Sequence, residues 1–103
     1  MAGFVQVIEI QTSRIDELMA LTDEMRSRAS EGSTVRRGTY TEDMDRAGYY
    51  MAIIEFDSHE SAMANSNRQE TSDFSAGMAE LCDAPPRFYN LQVLNTYEPQ
   101  NAF

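Results

Sequence analysis

A chain of 103 residues, with seventeen acidic side chains against eight basic ones and a net charge of −9, has material for one domain. That balance argues against nucleic acid, whose phosphates need a positive surface to displace counterions, and against an anionic membrane face. Cys82 is the single cysteine, so no internal disulfide framework is possible.

The first residues, MAGFVQVIEI, lack the basic start and unbroken apolar run of a signal peptide. No stretch approaches the roughly 20 apolar residues of a membrane span. The expected compartment is the cytoplasm.

Phe4 to Gln11 reads as the first strand, dominated by β-branched Val5, Val7, Ile8 and Ile10. Ser13 reads as the N-cap of a helix from about Arg14 to Ser30, with Asp16 completing a capping-box pattern. Ile15, Leu18, Met19, Thr22, Met25 and Ala29 recur at helical spacing, and Gly32 marks the stop. Val35 to Thr41 is the second strand, followed by the polar connection EDMDRAG, Glu42 to Gly48. Tyr49 to Phe56, YYMAIIEF, is the third strand and closes an antiparallel hairpin. Its alternation puts Tyr49, Met51 and Ile53 on one face and Tyr50, Ala52, Ile54 and Phe56 on the other, so both faces are apolar.

Asp57 with Glu60 repeats the capping-box pattern, and a helical region extends to about Cys82. Thr71-Ser72-Asp73 marks an expected break, after which Phe74, Met78 and Leu81 share a face. Pro85 and Pro86 end the helix. Phe88 to Tyr97 is the fourth strand, with Tyr89, Leu91, Val93 and Tyr97 on one face. The tail EPQNAF reads as loose or docked on a partner.

The order β-α-β-β-α-β defines an α+β ferredoxin-like plait, a four-stranded antiparallel sheet with two helices on one face. Right-handed crossovers place strands one and three in the centre. One domain spans residues 1–103, with its core in 4–97. The two central strands need cover on both faces, and the helices supply only one. Each exposed Ile, Met or aromatic forgoes roughly 1.5–3 kcal/mol of burial. The expected partner is therefore a second copy, joined through the open sheet faces.

Three pieces, IIEFDSHESAMANS (Ile53 to Ser66), ETSDFSAGMAEL (Glu70 to Leu81) and PPRFYNLQVL (Pro85 to Leu94), carry a resemblance to a known superfamily. The chain resembles the dimeric α/β-barrel proteins, and most of all the antibiotic-biosynthesis-monooxygenase-type domains. The resemblance implies a pocket between the sheet and the helices of each subunit. It also implies cofactor-independent oxidation of a small aromatic, quinol-type substrate. Related proteins degrade haem, and others have no known activity.

An oxygenase without a cofactor needs groups that take a proton and stabilise an oxyanion around an electron-rich substrate. The catalytic candidates are Asn65 and Arg68, three apart on the second helix. The substrate-binding candidates are Arg37, Tyr40, Tyr50, Asn67 and Tyr89. The same side chains also suit a solvated helix face, a core or a dimer interface. The alternative function is a non-catalytic dimeric module that binds a small apolar or aromatic ligand.

His59 is the only histidine and falls in the first turn of the second helix. The haem-degrading relatives use an Asn, Trp and His set, and this chain has no Trp. The scattered acidic residues and lone histidine give no metal-ligand spacing, so no metal is expected, and the resemblance implies that no cofactor is used. Cys82 is expected to be inert, since neighbouring Asp83 disfavours its thiolate.

Overall fold

The computed structural model describes residues 3–29 and 31–98. β1 (Phe4–Gln11) and β3 (Tyr49–Phe56) pair antiparallel along their whole length, from Phe4 opposite Phe56 to Gln11 opposite Tyr49. β2 (Val35–Glu42) pairs with the free edge of β3 and β4 (Arg87–Gln92) with that of β1, so the four-stranded order is β2-β3-β1-β4. The two strands that are apolar on both sides are the two central ones. β1 and β3 have the bounds read from the sequence. β4 is shorter than expected because its partner ends: Gln92 is already opposite Phe4, the first residue of β1. Beyond it Leu94 and Tyr97 are exposed. Residues 99–103 of the tail, and Ser30 at the expected helix end, lie outside the described residues.

Opposed residues in an antiparallel pair share a face, so the register sorts every side chain. Ile8, Ile10, Tyr40, Tyr50, Ala52 and Ile54 turn toward the helices. There they pack with Leu18 and Leu21 of α1 (Ile15–Ala29) and with Phe74, Met78 and Leu81 of α3 (Gln69–Leu81). A second cluster joins Phe4 and Phe56 to Ala62 of α2 (His59–Ser66). The opposite face carries Val5, Val7, Met51, Ile53, Tyr89 and Leu91, and no element among the described residues covers it. Val5, Val7, Met51, Ile53 and Tyr89 remain partly exposed, and Leu91 is exposed.

The local signals at the helix starts act one residue away from their expected places. Thr12, not Ser13, ties down the start of α1: its Oγ1 accepts from the backbone N–H of Arg14 at 2.9 Å. The helix bond from Leu18 N–H returns to the Arg14 carbonyl. Ser58, not Asp57, caps α2, and its hydroxyl accepts from Ser61 N–H at 3.1 Å. Asp57 instead pairs with Arg36 at 3.4 Å.

The break in the second helical region falls at Asn67-Arg68, and Thr71-Ser72-Asp73 lie inside α3. Arg68 turns extended (φ −80, ψ 144), and its guanidinium holds the Glu31 carbonyl at 2.9 Å and Glu70 Oε2 at 2.6 Å. A long-range charged anchor outweighs the modest preference of Thr, Ser and Asp for helix starts. Gly32 and Gly48 sit at φ +82 and +83, the left-handed region that other residues avoid, at the end of α1 and of the β2–β3 connection.

Thr12 is 1% exposed and joins three parts of the fold. Its hydroxyl donates to the Leu81 carbonyl at the end of α3 (2.6 Å), and its N–H donates to the Gly48 carbonyl (3.0 Å). Thr12→Val keeps the shape but leaves the Leu81 carbonyl and the Arg14 N–H without this partner. Each such loss costs about 1–3 kcal/mol. Thermal or urea unfolding should show Thr12→Val destabilised by about 2–4 kcal/mol, with Thr12→Ser retaining more than half of that.

Candidate functional site

At one end of the β2–β3 hairpin, a cleft of about 240 Å³ opens between the helix face of the sheet and α1. Ile15 and Met19 of α1 form one wall, and Tyr40, Thr41, Glu42 and Tyr50 form the other. Glu42 is directly opposite Tyr50 in the strand register, and Tyr40 is opposite the small Ala52. Alternation therefore brings the two tyrosines and the carboxylate to the same face. Thr41 turns its side chain the other way, and its hydroxyl donates to the Met51 carbonyl at 2.9 Å.

Tyr40 is half-buried, and its hydroxyl lies 2.6 Å from Thr22 Oγ1 on α1. Thr22 Oγ1 is also 3.0 Å from the Leu18 carbonyl, to which it can only donate. A threonine hydroxyl has one proton. When that proton is on Leu18, Tyr40 must donate to Thr22. The chain of donors thus runs from Tyr40 through Thr22 to the helix backbone. Burial pushes the Tyr40 phenol above its ordinary pKa. Tyr40 is consequently a neutral phenol at physiological pH and not a tyrosinate base.

The expected site residues divide among three places. Tyr40 and Tyr50 meet in the cleft. Arg37 and Tyr89 lie on the open face of the sheet, Arg37 3.5 Å from Glu55 and Tyr89 Oη 3.5 Å from Glu9 Oε1. The third place is the α2–α3 junction. Asn65 is buried on α2 at 9% exposure, Asn67 is its exposed C-cap residue, and Arg68 is occupied by Glu31 and Glu70. One site on one face of the sheet does not gather all seven. Reasoning from residue type passed over Glu42, which was read as the start of a loop, and Thr22. The signal for Thr22 was a hydroxyl inside the apolar stripe of α1.

A broader hollow of about 630 Å³ lies at the opposite end of β1, beside Phe4, His59, Asn90 and Val93. His59 is exposed, and its ring rests 5.2 Å from that of Phe4. Aromatic packing beside a helix start accounts for that position. Cys82 is half-buried, and burial first, then Asp83, pushes its thiol up. Among the described residues no group of three or more His, Cys, Asp or Glu is placed to hold a metal ion. No helix among them is long and apolar enough to cross a membrane.

No protein-family model matches the sequence, and no curated protein matches it. Solved structures match the fold closely. A protein from Deinococcus radiodurans, provisionally named an antibiotic biosynthesis monooxygenase, superposes with a TM-score of 0.75 at 8% identity, over 95% of this chain and 99% of that one. One of the same provisional name from Caulobacter crescentus gives 0.72 at 12% identity, over 91% and 92%. Rv0793 from Mycobacterium tuberculosis gives 0.70 at 21% identity, over 92% and 99%. The chain has the ferredoxin-like α+β fold of these antibiotic biosynthesis monooxygenase structures.

The Tyr40 phenol has a measurable signature. Its pKa is raised on folding, so its neutral form stabilises the fold fully below the unfolded value of about 10. That stabilisation is lost as pH rises through the higher folded value. Cys82 contributes a drop of the same sign from a lower pH, so a Cys82→Ser background isolates the effect. In that background, Tyr40→Phe should cost about 1 kcal/mol near neutrality and flatten the fall in stability above pH ~10, as read by urea unfolding across pH.

Proposed function

We propose that this chain is a cofactor-independent monooxygenase-like protein acting on a small hydroxylated aromatic of the quinol type. The observation that carries the reading is the cleft between β2–β3 and α1. Its aromatic and aliphatic walls suit a planar ring, and its polar groups are a carboxylate and two phenols. An electron-rich phenol supplies its own electrons once its proton is removed. For a phenol with a free para position, reaction with O2 yields a quinone carrying one oxygen atom and a water carrying the other. The Glu42 carboxylate can accept the phenolic proton, and the Tyr50 hydroxyl can donate to the resulting oxyanion. Asn65, buried at the α2–α3 junction, does not line this cleft. Arg68 likewise lies outside the cleft, where its guanidinium holds the Glu31 carbonyl and Glu70. The shared fold with proteins named as monooxygenases supports the same class.

The second reading is a non-catalytic ligand-binding dimer. It is favoured by the protonated state of Tyr40, which gives the cleft a hydrogen-bonding group and not a base. Oxygen uptake with a panel of quinols and hydroxylated polycyclic phenols separates the two. The oxygenase should consume O2, and Glu42→Gln should slow it by about a hundredfold, the range of a lost general base. Binding by a chain that consumes no O2 with any member of the panel assigns the second reading.

We further propose that the working unit is a homodimer joined through the open sheet faces. Val7 and Ile53 are directly opposed at the middle of that face, with Met51 and Leu91 beside them. Their exposure forgoes several kcal/mol at roughly 1.5–3 kcal/mol per side chain, comparable with the net stability of a small domain. Light scattering should give twice the chain mass for the native protein and one chain mass for Ile53→Asp. A native monomer at micromolar concentration would remove this assembly.

A further inference from the structure

We infer that the cleft selects its ligand by proton content: it takes an aromatic that offers O–H donors and discriminates against the same ring system offering only acceptors. This deepens the reading of the cleft as the substrate site and rests on it. The argument starts from where the protons already are. Thr22 spends its one hydroxyl proton on the Leu18 carbonyl, and Tyr40 spends its own on Thr22. Both bonds are made only in this orientation. Turning the Tyr40 proton toward a ligand forfeits the Tyr40–Thr22–Leu18 chain as built. The Tyr40 oxygen therefore meets the cleft as an acceptor. The Glu42 carboxylate oxygens are acceptors only. Tyr50 is the remaining hydroxyl in the lining that can serve either way.

Two acceptors and one adaptable group fit a phenol or quinol, whose hydroxyls donate to Glu42 and Tyr40 and accept from Tyr50. A quinone or an aryl ether brings oxygen lone pairs against the same two acceptors. A carboxylate ligand adds like-charge repulsion from Glu42 and from a chain of net charge −9. The oxidation proposed above converts the favoured form into the disfavoured one, because the quinone has lost the hydroxyl protons. Selection by proton content thus also favours product release.

The probes are 2-naphthol and 2-methoxynaphthalene, which share a ring system and differ by one donor. Each is titrated without oxygen into the native protein, with ligand fluorescence or calorimetry as readout. Naphthol should bind at least about fivefold more tightly than its ether, the effect of one unsatisfied polar contact. Glu42→Gln, an exposed substitution that supplies a donor, should reduce the ratio to within about twofold. Thr22→Val should tighten the ether specifically, since Tyr40 then has no other use for its proton. A merely structural role for Thr22 would weaken both ligands together.

Equal binding of the two probes, or binding of neither, overturns the inference. A naphthol preference with no oxygen uptake from any quinol leaves the inference standing and ends the oxygenase reading. Oxygen uptake with equal binding of the probes does the reverse.

Discussion

The antiparallel pairing of β1 with β3 is the constraint on which the other contacts depend. Eight residues of each strand are aligned without a slip, so every odd position faces one way and every even position the other. A slip of β1 by one residue would send Ile8 and Ile10 to the open face and strip α1 and α3 of much of the surface they pack on. Register therefore decides, in one step, where the core lies and which sheet face is left open.

The cleft follows from how α1 meets that sheet. Thr12 anchors the start of α1 to the end of β1, to the end of α3 and to Gly48. That junction lies at the same end of the sheet as Tyr50 and Glu42, the last pair of the β2–β3 register. Two turns into α1, the bond between Thr22 and Tyr40 holds the helix against β2, an edge strand that has few other contacts with it. The same bond turns the phenol's proton toward α1 and leaves its oxygen an acceptor.

Much of the fold was legible because it rests on periodicity. The bounds of β1 and β3, the central place of those strands and the shared face of Phe74, Met78 and Leu81 all follow from side-chain alternation or helical spacing. The helix starts were legible only to within a residue, because Thr12, Ser13, Asp57 and Ser58 are chemically alike as caps. The hydrogen bonds that form fall on Thr12, to the Arg14 N–H, and on Ser58, to the Ser61 N–H. The helix break was misplaced because its cause is non-local: Arg68 reaches back to the Glu31 carbonyl across 37 positions of sequence. The site was less legible still. Residue type alone put Arg37, Tyr89 and Tyr40 in one group, whereas strand parity separates the first two from the third by the thickness of the sheet.

The amino-acid sequence by itself determined the element order, the sheet topology and the presence of two apolar sheet faces, one in excess of what the helices can cover. These are properties of local pattern, and pattern survives without knowledge of contacts. The tertiary structure decided which polar residues stand together. It placed Glu42 and Thr22 beside Tyr40 and Tyr50, and it tied Arg68 to Glu31 and Glu70. Hydrogen bonds between distant segments depend on distances of a few ångströms and on the side of the sheet a residue faces, and no spacing along the chain encodes those directly.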